Sequence, residues 1–183
     1  MNINLLLEKI EKLNISLSPE ELKNFLKISR RWPLHYYGDK QKTVEIIDNY
    51  GEMRINDFFD YKGYLVYEKW EKYYNLGFTS IISHCNDLND NLRNLNDLIL
   101  NFTGNIPNIN IYFSKGLQKN SFDKHKHNYF VIVKQIYGES LWRINDETIF
   151  LKNQGVLFLP KETYHEVLDN KIERMSLTIS LDT

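Results

Sequence analysis

Two histidines stand one residue apart in the stretch FDKHKHNYFVIVKQIYG, residues 122–138. Side chains alternate across a β-strand, so His125 and His127 share a face if the strand beginning here includes them. Imidazole is a ready ligand for iron, zinc, nickel and copper, and two on one face can chelate a divalent cation. A metal site needs at least a third ligand. The segment GVLFLPKETYHEV, residues 155–167, offers one: Gly155, an apolar strand, a turn at Pro160, and then His165 opening the next strand. Three unrelated surface histidines account for the spacing equally well, since an HxH pair alone is a weak signal. His35, in the turn-like RRWPLHYYGD, and His84, next to Cys85, stand alone and are left outside the candidate site.

The elements around these residues must position them. Beyond the histidines the same face continues as Tyr129, Val131, Val133 and Gln135. The opposite face carries Phe130 and Ile132, with Lys126 and Lys134 at its ends. Both faces are apolar enough to predict a strand covered on both sides, with the histidines at the rim of an enclosed space. Upstream, NINLLLEKIEKLN spaces Leu5, Leu6, Ile10 and Leu13 as a helix, and SLSPEELKNFLKIS carries a start signal in Ser18, Pro19 and Glu21. KTVEIIDNYG and YKGYLVY read as short β-rich runs, Gly77 ends a helix before the strand FTSIIS, and Leu88, Leu92, Leu95, Leu98 and Ile99 mark an amphipathic helix. After Pro107 the chain turns into short β-rich segments separated by turn residues. The pattern predicts one α+β domain over 1–183: a mainly helical lead-in over 1–50, then a β-barrel over 51–183 with one inserted helix around 88–102.

Composition narrows the function classes. A net charge of -1 with 26% charged residues provides no basic stripe, which argues against nucleic acid or an anionic membrane as partner. The single cysteine excludes an internal disulfide and a cysteine-rich zinc site. No transit segment, secretory signal or run of 18 apolar residues is evident, so a cytoplasmic protein is expected. Aromatic residues make up 14% of the chain, which suits a large sheet, extra core packing or an aromatic-lined cavity.

The motifs also resemble a known family. HKHNYFVIVKQIYG followed by GVLFLPKETYHEV is similar to the two motifs of the cupin superfamily, with Gly138 closing the first. NINIYFS, SFDKHKHNYFVIVKQIYGESLWRI, GVLFLPKETYHEVL and RMSLTISL resemble, in order and spacing, the JmjC and ribosomal-oxygenase type of cupin. The likeness covers roughly residues 70–181, and RRWPL fits the usual N-terminal preface. The resemblance implies a double-stranded β-helix (jelly-roll) barrel preceded by N-terminal helices, and an Fe(II)- and 2-oxoglutarate-dependent oxygenase.

Carried over by position, the family's iron histidines fall on His125 and His165. The usual carboxylate ligand falls on His127, which removes one negative charge and makes a three-histidine set suited to Fe(II), and also to Zn, Ni or Cu. Ser140 stands where the family carries the Lys or Arg that anchors 2-oxoglutarate, and serine cannot form that charged pair. The resemblance points Ser176 and Thr178 into the barrel. Arg174 then shares their face and could hold a carboxylate, or else lie in solvent or pair with Glu173 or Asp169.

Three functions remain open on this reading. The first is a mononuclear Fe(II) oxygenase consuming O2 and acting on a small molecule or peptide, with or without 2-oxoglutarate. Tyr129 and Arg174 would be its catalytic candidates, with Ser140, Arg174 and Tyr112 as co-substrate contacts. Gln135, Trp142 and Tyr164 are further pocket candidates. The second is a non-redox metal cupin, and the third a binding module without catalysis. Relatives often carry C-terminal additions for dimerisation and large substrates. Here the sequence stops at Thr183 just after the last strand, which favours a small metabolite or peptide over a ribosomal protein; the N-terminal helices could still support a homodimer.

Overall fold

In the computed structural model, the N-terminal helices form where the capping and apolar signals place them. The structure describes residues 2–29, 44–48, 54–55, 57–116, 122–168 and 171–181; His35, RRWPL and Asp169 lie outside them. Helix α1 (Ile3–Lys12) buries Leu6 and Ile10, and α2 (Pro19–Lys27) buries Leu22 and Leu26. A capping box starts α2: the Glu21 N–H donates to the Ser18 hydroxyl, and the Ser18 N–H donates to the Glu21 carboxylate at 2.6 Å. Helix α3 (Tyr67–Asn75) buries Trp70 and Tyr74, with Gly77 at φ +86° just beyond its end. Helix α4 (Asp90–Thr103) is capped by Asn89 and closed by Gly104 in the left-handed conformation.

Ten strands are described: β1 (Val44–Ile47), β2 (Arg54–Ile55), β3 (Thr79–Ile82), β4 (Asn108–Ser114), β5 (Phe130–Tyr137), β6 (Ser140–Ile144), β7 (Glu147–Leu151), β8 (Val156–Leu159), β9 (His165–Val167) and β10 (Arg174–Leu181). They form a seven-stranded sheet in the order β2-β1-β3-β4-β10-β5-β8 and a three-stranded sheet in the order β7-β6-β9. The expected run at YKGYLVY is instead bridged at Tyr64 and Leu65, the latter to Phe59, and leads into α3.

Alternation along β10 separates two environments. Met175, Leu177, Ile179 and Leu181 join the large core shared with the helices, including Leu6, Ile10, Leu95 and Ile99. Arg174, Ser176, Thr178 and Ser180 line the cavity on the other face. A smaller apolar cluster of Val131, Val133, Trp142, Leu157, Leu159 and Val167 spans the two sheets. The hydrophobic effect therefore acts mainly on the helix-covered face, which leaves the other face free to carry polar groups.

Two placements differ from the expectation. Lys134 does not mark an end of the outer face: it is fully buried, and its ammonium donates to the carbonyls of Ile10 and Gln154, both at 3.1 Å. These carbonyls give the buried ammonium two acceptors, one of them the Ile10 carbonyl near the end of α1 that also accepts from the Leu13 N–H. The histidine pair also precedes the regular strand, since β5 starts only at Phe130.

Gly138 makes the turn between β5 and β6 at φ +65°, and a Cβ there would meet the Glu173 carbonyl oxygen at 2.3 Å. The left-handed conformation alone costs an L-residue about 1–2 kcal/mol, and the clash is with backbone, which cannot rotate away. Gly138→Ala is expected to lower unfolding stability by about 3 kcal/mol or more, read as a fall in the urea midpoint at unchanged slope.

Candidate metal centre

His125 and His165 belong to different segments tied by backbone. The His125 N–H donates to the His165 carbonyl at 3.0 Å, and the His165 N–H returns a bond to the His125 carbonyl at 2.8 Å. His127 is tied nearby, its carbonyl accepting from the Glu162 N–H at 2.7 Å. These bonds do the work that a continuous strand was expected to do, and the three imidazoles converge. One ring nitrogen from each lies within 4.8 Å of the others.

Ring orientation is fixed by neighbours. Nδ1 of His125 lies 2.8 Å from the Asp123 carbonyl, and Nδ1 of His165 lies 2.9 Å from the Thr163 carbonyl. A carbonyl only accepts, so both Nδ1 atoms carry the proton and both Nε2 atoms present a lone pair. This is the arrangement by which an outer hydrogen bond selects a metal-binding tautomer. The Tyr129 ring stacks on His127, with centroids 4.7 Å apart and planes 15° from parallel. Burial pushes the His165 imidazolium down to about 4, with the charges of His125 and His127 adding to the fall and the Thr163 hydrogen bond opposing it. Burial, and then the charge of His125, lowers His127 as well. Both shifts favour neutral imidazole, the form that ligates.

The histidines stand in the wall of a cavity of about 340 Å³ within the barrel. Tyr112, Tyr129, Trp142 and Arg174 line it too, so most of the sequence-derived candidates gather in one space. Ser140 is buried behind that wall. Its hydroxyl donates to Gln135 Oε1 at 2.8 Å and accepts from the Trp142 indole at 2.9 Å, while Ser176 donates to the same Gln135 oxygen at 2.7 Å. Ser140 is thus a bracing residue for Gln135 and Trp142. Tyr164 is outside, 45% exposed at the rim beneath the ammonium groups of Lys124 and Lys126. His84 is exposed at φ +57°, apart from the triad.

Arg174 is the unusual charge. It is 1% exposed, its one hydrogen bond is a long 3.3 Å contact to the Ser176 hydroxyl, and its Nε has no partner among the described residues. Glu173 does not neutralise it: that carboxylate accepts from Tyr74 and from Lys23, the latter at 3.1 Å. Burial lowers the guanidinium to about 10, so it stays charged at neutral pH. A buried cation without a counter-charge is costly, and an anionic ligand would relieve that cost.

Sequence reasoning missed Asn108, Asn110, Phe122 and Ser83, all in the cavity wall. The available signal was the alternation in NINIYFS, whose polar members stand opposite Thr178 and Ser180 in register. Phe122 links two candidates, edge-on to Tyr112 at 6.0 Å and 5.6 Å from His125.

Comparison with known proteins bears on the fold. Residues 110–167 match the family of AraC-like ligand binding domains. The ribosomal oxygenase YcfD from Escherichia coli superposes with a TM-score of 0.62 at 15% identity, covering 91% of this chain and 44% of that one. The same oxygenase in complex with cobalt and 2-oxoglutarate superposes at 0.63, with 15% identity and the same coverage. A cupin protein from Bacteroides fragilis aligns over 42% of this chain and 66% of its own, at 15% identity and a TM-score of 0.38. No curated protein matches the sequence. The chain spans less than half the length of the oxygenase it superposes on. Two antiparallel sheets enclosing a polar cavity, with helices packed on the outer face of the larger sheet, give this chain an α+β double-sheet fold that it shares with that oxygenase.

Proposed function

We propose that the protein is a mononuclear iron(II)-dependent oxygenase acting on a small molecule or peptide, with His125, His127 and His165 as the metal ligands. The observation that carries this is the convergence of three imidazoles, two of them held in the ligating tautomer, beside a buried arginine whose Nε has no partner among the described residues. Three neutral donors suit a divalent cation and leave its charge intact, which favours an anionic chelating ligand. A bound iron supplies Lewis acidity and one-electron chemistry with O2.

The remaining roles belong to the chain. Arg174 seats a ligand carboxylate through its guanidinium fork, and Ser176 and Gln135 hold that fork in place. Val131, Val133 and Leu159 beside β10, with Val167 and Trp142 from the facing sheet, exclude water from the cavity. Tyr129 keeps His127 oriented and presents its phenol at the cavity surface.

Arg174 supports 2-oxoglutarate as the source of the carboxylate, in keeping with the oxygenase whose structure holds cobalt and 2-oxoglutarate. A second reading, in which the oxidised substrate brings its own carboxylate, is favoured by Ser140, which is engaged by Gln135 and Trp142. Oxygen uptake by iron-loaded protein separates them. Uptake that requires 2-oxoglutarate and yields equimolar succinate supports the first source, and uptake without it supports the second. Turnover that proceeds unchanged without oxygen would sink the oxygenase.

A further inference from the structure

The smaller sheet ends in a strand with one partner. β7 pairs with β6, and among the described residues nothing pairs with its other side. The remaining sheet ends differ: β8 packs against α1, β9 is followed by the bridge from His165 to His125, and β2 is two residues long. β7 is open and regular. Glu147, Thr148 and Phe150 are exposed, and the strand, ETIFL, holds its register with β6 without proline or bulge, two of the devices that keep edge strands solitary.

The hairpin shows which backbone groups face outward. Ile144 and Glu147 flank the two-residue turn Asn145–Asp146, and such a turn is closed by a hydrogen-bonded pair. Bonded and non-bonded pairs alternate, so Ile149 and Leu151 also turn their N–H and C=O toward β6, while Thr148 and Phe150 turn theirs to the free edge. A second copy meeting this edge antiparallel about a two-fold axis matches those groups when the axis passes Thr148, Ile149 or Phe150. Charge selects among the three. With the axis at Ile149, Asp146 faces Lys152 of the second copy at both ends, and Thr148 faces Phe150 between them. An axis at Thr148 sets Asp146 against Phe150, and one at Phe150 sets Lys152 against Thr148, so neither pairs opposite charges. Asp146 is fully exposed, its pairing with Lys124 reaches 4.0 Å, and Lys152 is exposed too. In the Ile149 register the two Phe150 rings, each 48% exposed, fall on the diagonal, within reach of one another.

We infer that β7 docks a second copy of this chain and joins two three-stranded sheets into one of six strands. The equal spacing of Asp146 and Lys152 about Ile149 is what favours the same chain over a strand of another protein. One strand edge buries less than the roughly 1,200–2,000 Å² of stable interfaces, so the dimer should dissociate at roughly 10–100 μM.

Sedimentation velocity of the full chain from about 1 to 500 μM is expected to show a reversible monomer–dimer equilibrium. Asp146→Lys or Lys152→Asp places like charges at both contacts and should weaken the dimer about tenfold or more. Mixing these two variants in equal amounts restores opposite charges at both contacts, so mixed dimers should form at wild-type strength. Thr148→Pro removes an N–H that β6 does not use and should abolish the dimer, since proline is tolerated on a free edge. Thermal melting followed by circular dichroism checks that each variant is folded. A monomer at every concentration, which leaves the edge to solvent or to a different chain, would overturn the inference. So would a dimer that all the variants leave unchanged, or a mixture no stronger than either variant alone. Neither result depends on metal or oxygen, so the oxygenase reading stands or falls separately.

Discussion

Replacing His165 by alanine removes stoichiometric metal binding while the barrel stays folded. Wild-type protein dialysed against Co(II) or Fe(II) is expected to hold roughly one ion per chain, and the variant below about a tenth of that under the same conditions. The bonds joining His165 to His125 are backbone to backbone and survive truncation of the side chain, so the loss should be of a ligand and not of a fold. Two imidazoles remain, and two ligands do not hold a divalent ion against water. His127→Asp keeps three ligating groups and adds a negative charge, so it should retain the metal. An independent readout comes from acid stability. The unfolded imidazole takes its proton near 6.5 and the folded one only near 4, so protonation opposes folding of the metal-free protein as pH falls through that interval. In His165→Ala that contribution to acid sensitivity disappears. A variant that still binds one equivalent of metal would exclude His165 as a ligand.

The sequence was most informative where local chemistry sets structure. Ser18, Pro19 and Glu21 start a helix by satisfying its first N–H groups, and those bonds are within reach of neighbouring residues. Gly138 closes the first motif of the resemblance, and the structure puts it in a turn at φ +65°. The facing of Arg174, Ser176 and Thr178 followed from the resemblance and from strand alternation, and all three line the cavity. The polar cavity residues of β4 and β10 were harder to read, because Asn108 and Ser180 become neighbours only through a pairing 72 residues apart in sequence. Lys134 was illegible for the same reason: its two acceptors, the carbonyls of Ile10 and Gln154, lie in distant segments, and a lysine in a strand usually signals solvent. Alternation alone predicts a strand through His125 and His127 with both rings on one face. A pair of reciprocal backbone bonds to His165 achieves that convergence without a continuous ladder.

Arg174→Met should weaken binding of a carboxylate ligand and at the same time make the ligand-free protein more stable. In the wild type Arg174 is 1% exposed, and among the described residues its Nε is unpartnered and its guanidinium makes one long hydrogen bond, to Ser176. Burying that charge without a counter-ion opposes folding, and an apolar side chain of similar volume removes the cost. A gain of about 1–3 kcal/mol in unfolding stability is expected. The hydrogen bonds that hold Ser176 and Ser140 to Gln135 do not involve Arg174 and should persist. Binding moves the other way. Each charge-assisted hydrogen bond contributes about 1.5–3 kcal/mol, so loss of a two-pronged contact should reduce affinity for 2-oxoglutarate or succinate about a hundredfold or more, measured by calorimetry on metal-loaded protein. Arg174→Lys keeps the charge but loses the fork, and should fall between the two. A purely structural arginine would lose stability on substitution and leave carboxylate affinity where it was. The opposite signs of the two effects are therefore what distinguish an arginine kept for its ligand from one kept for the fold.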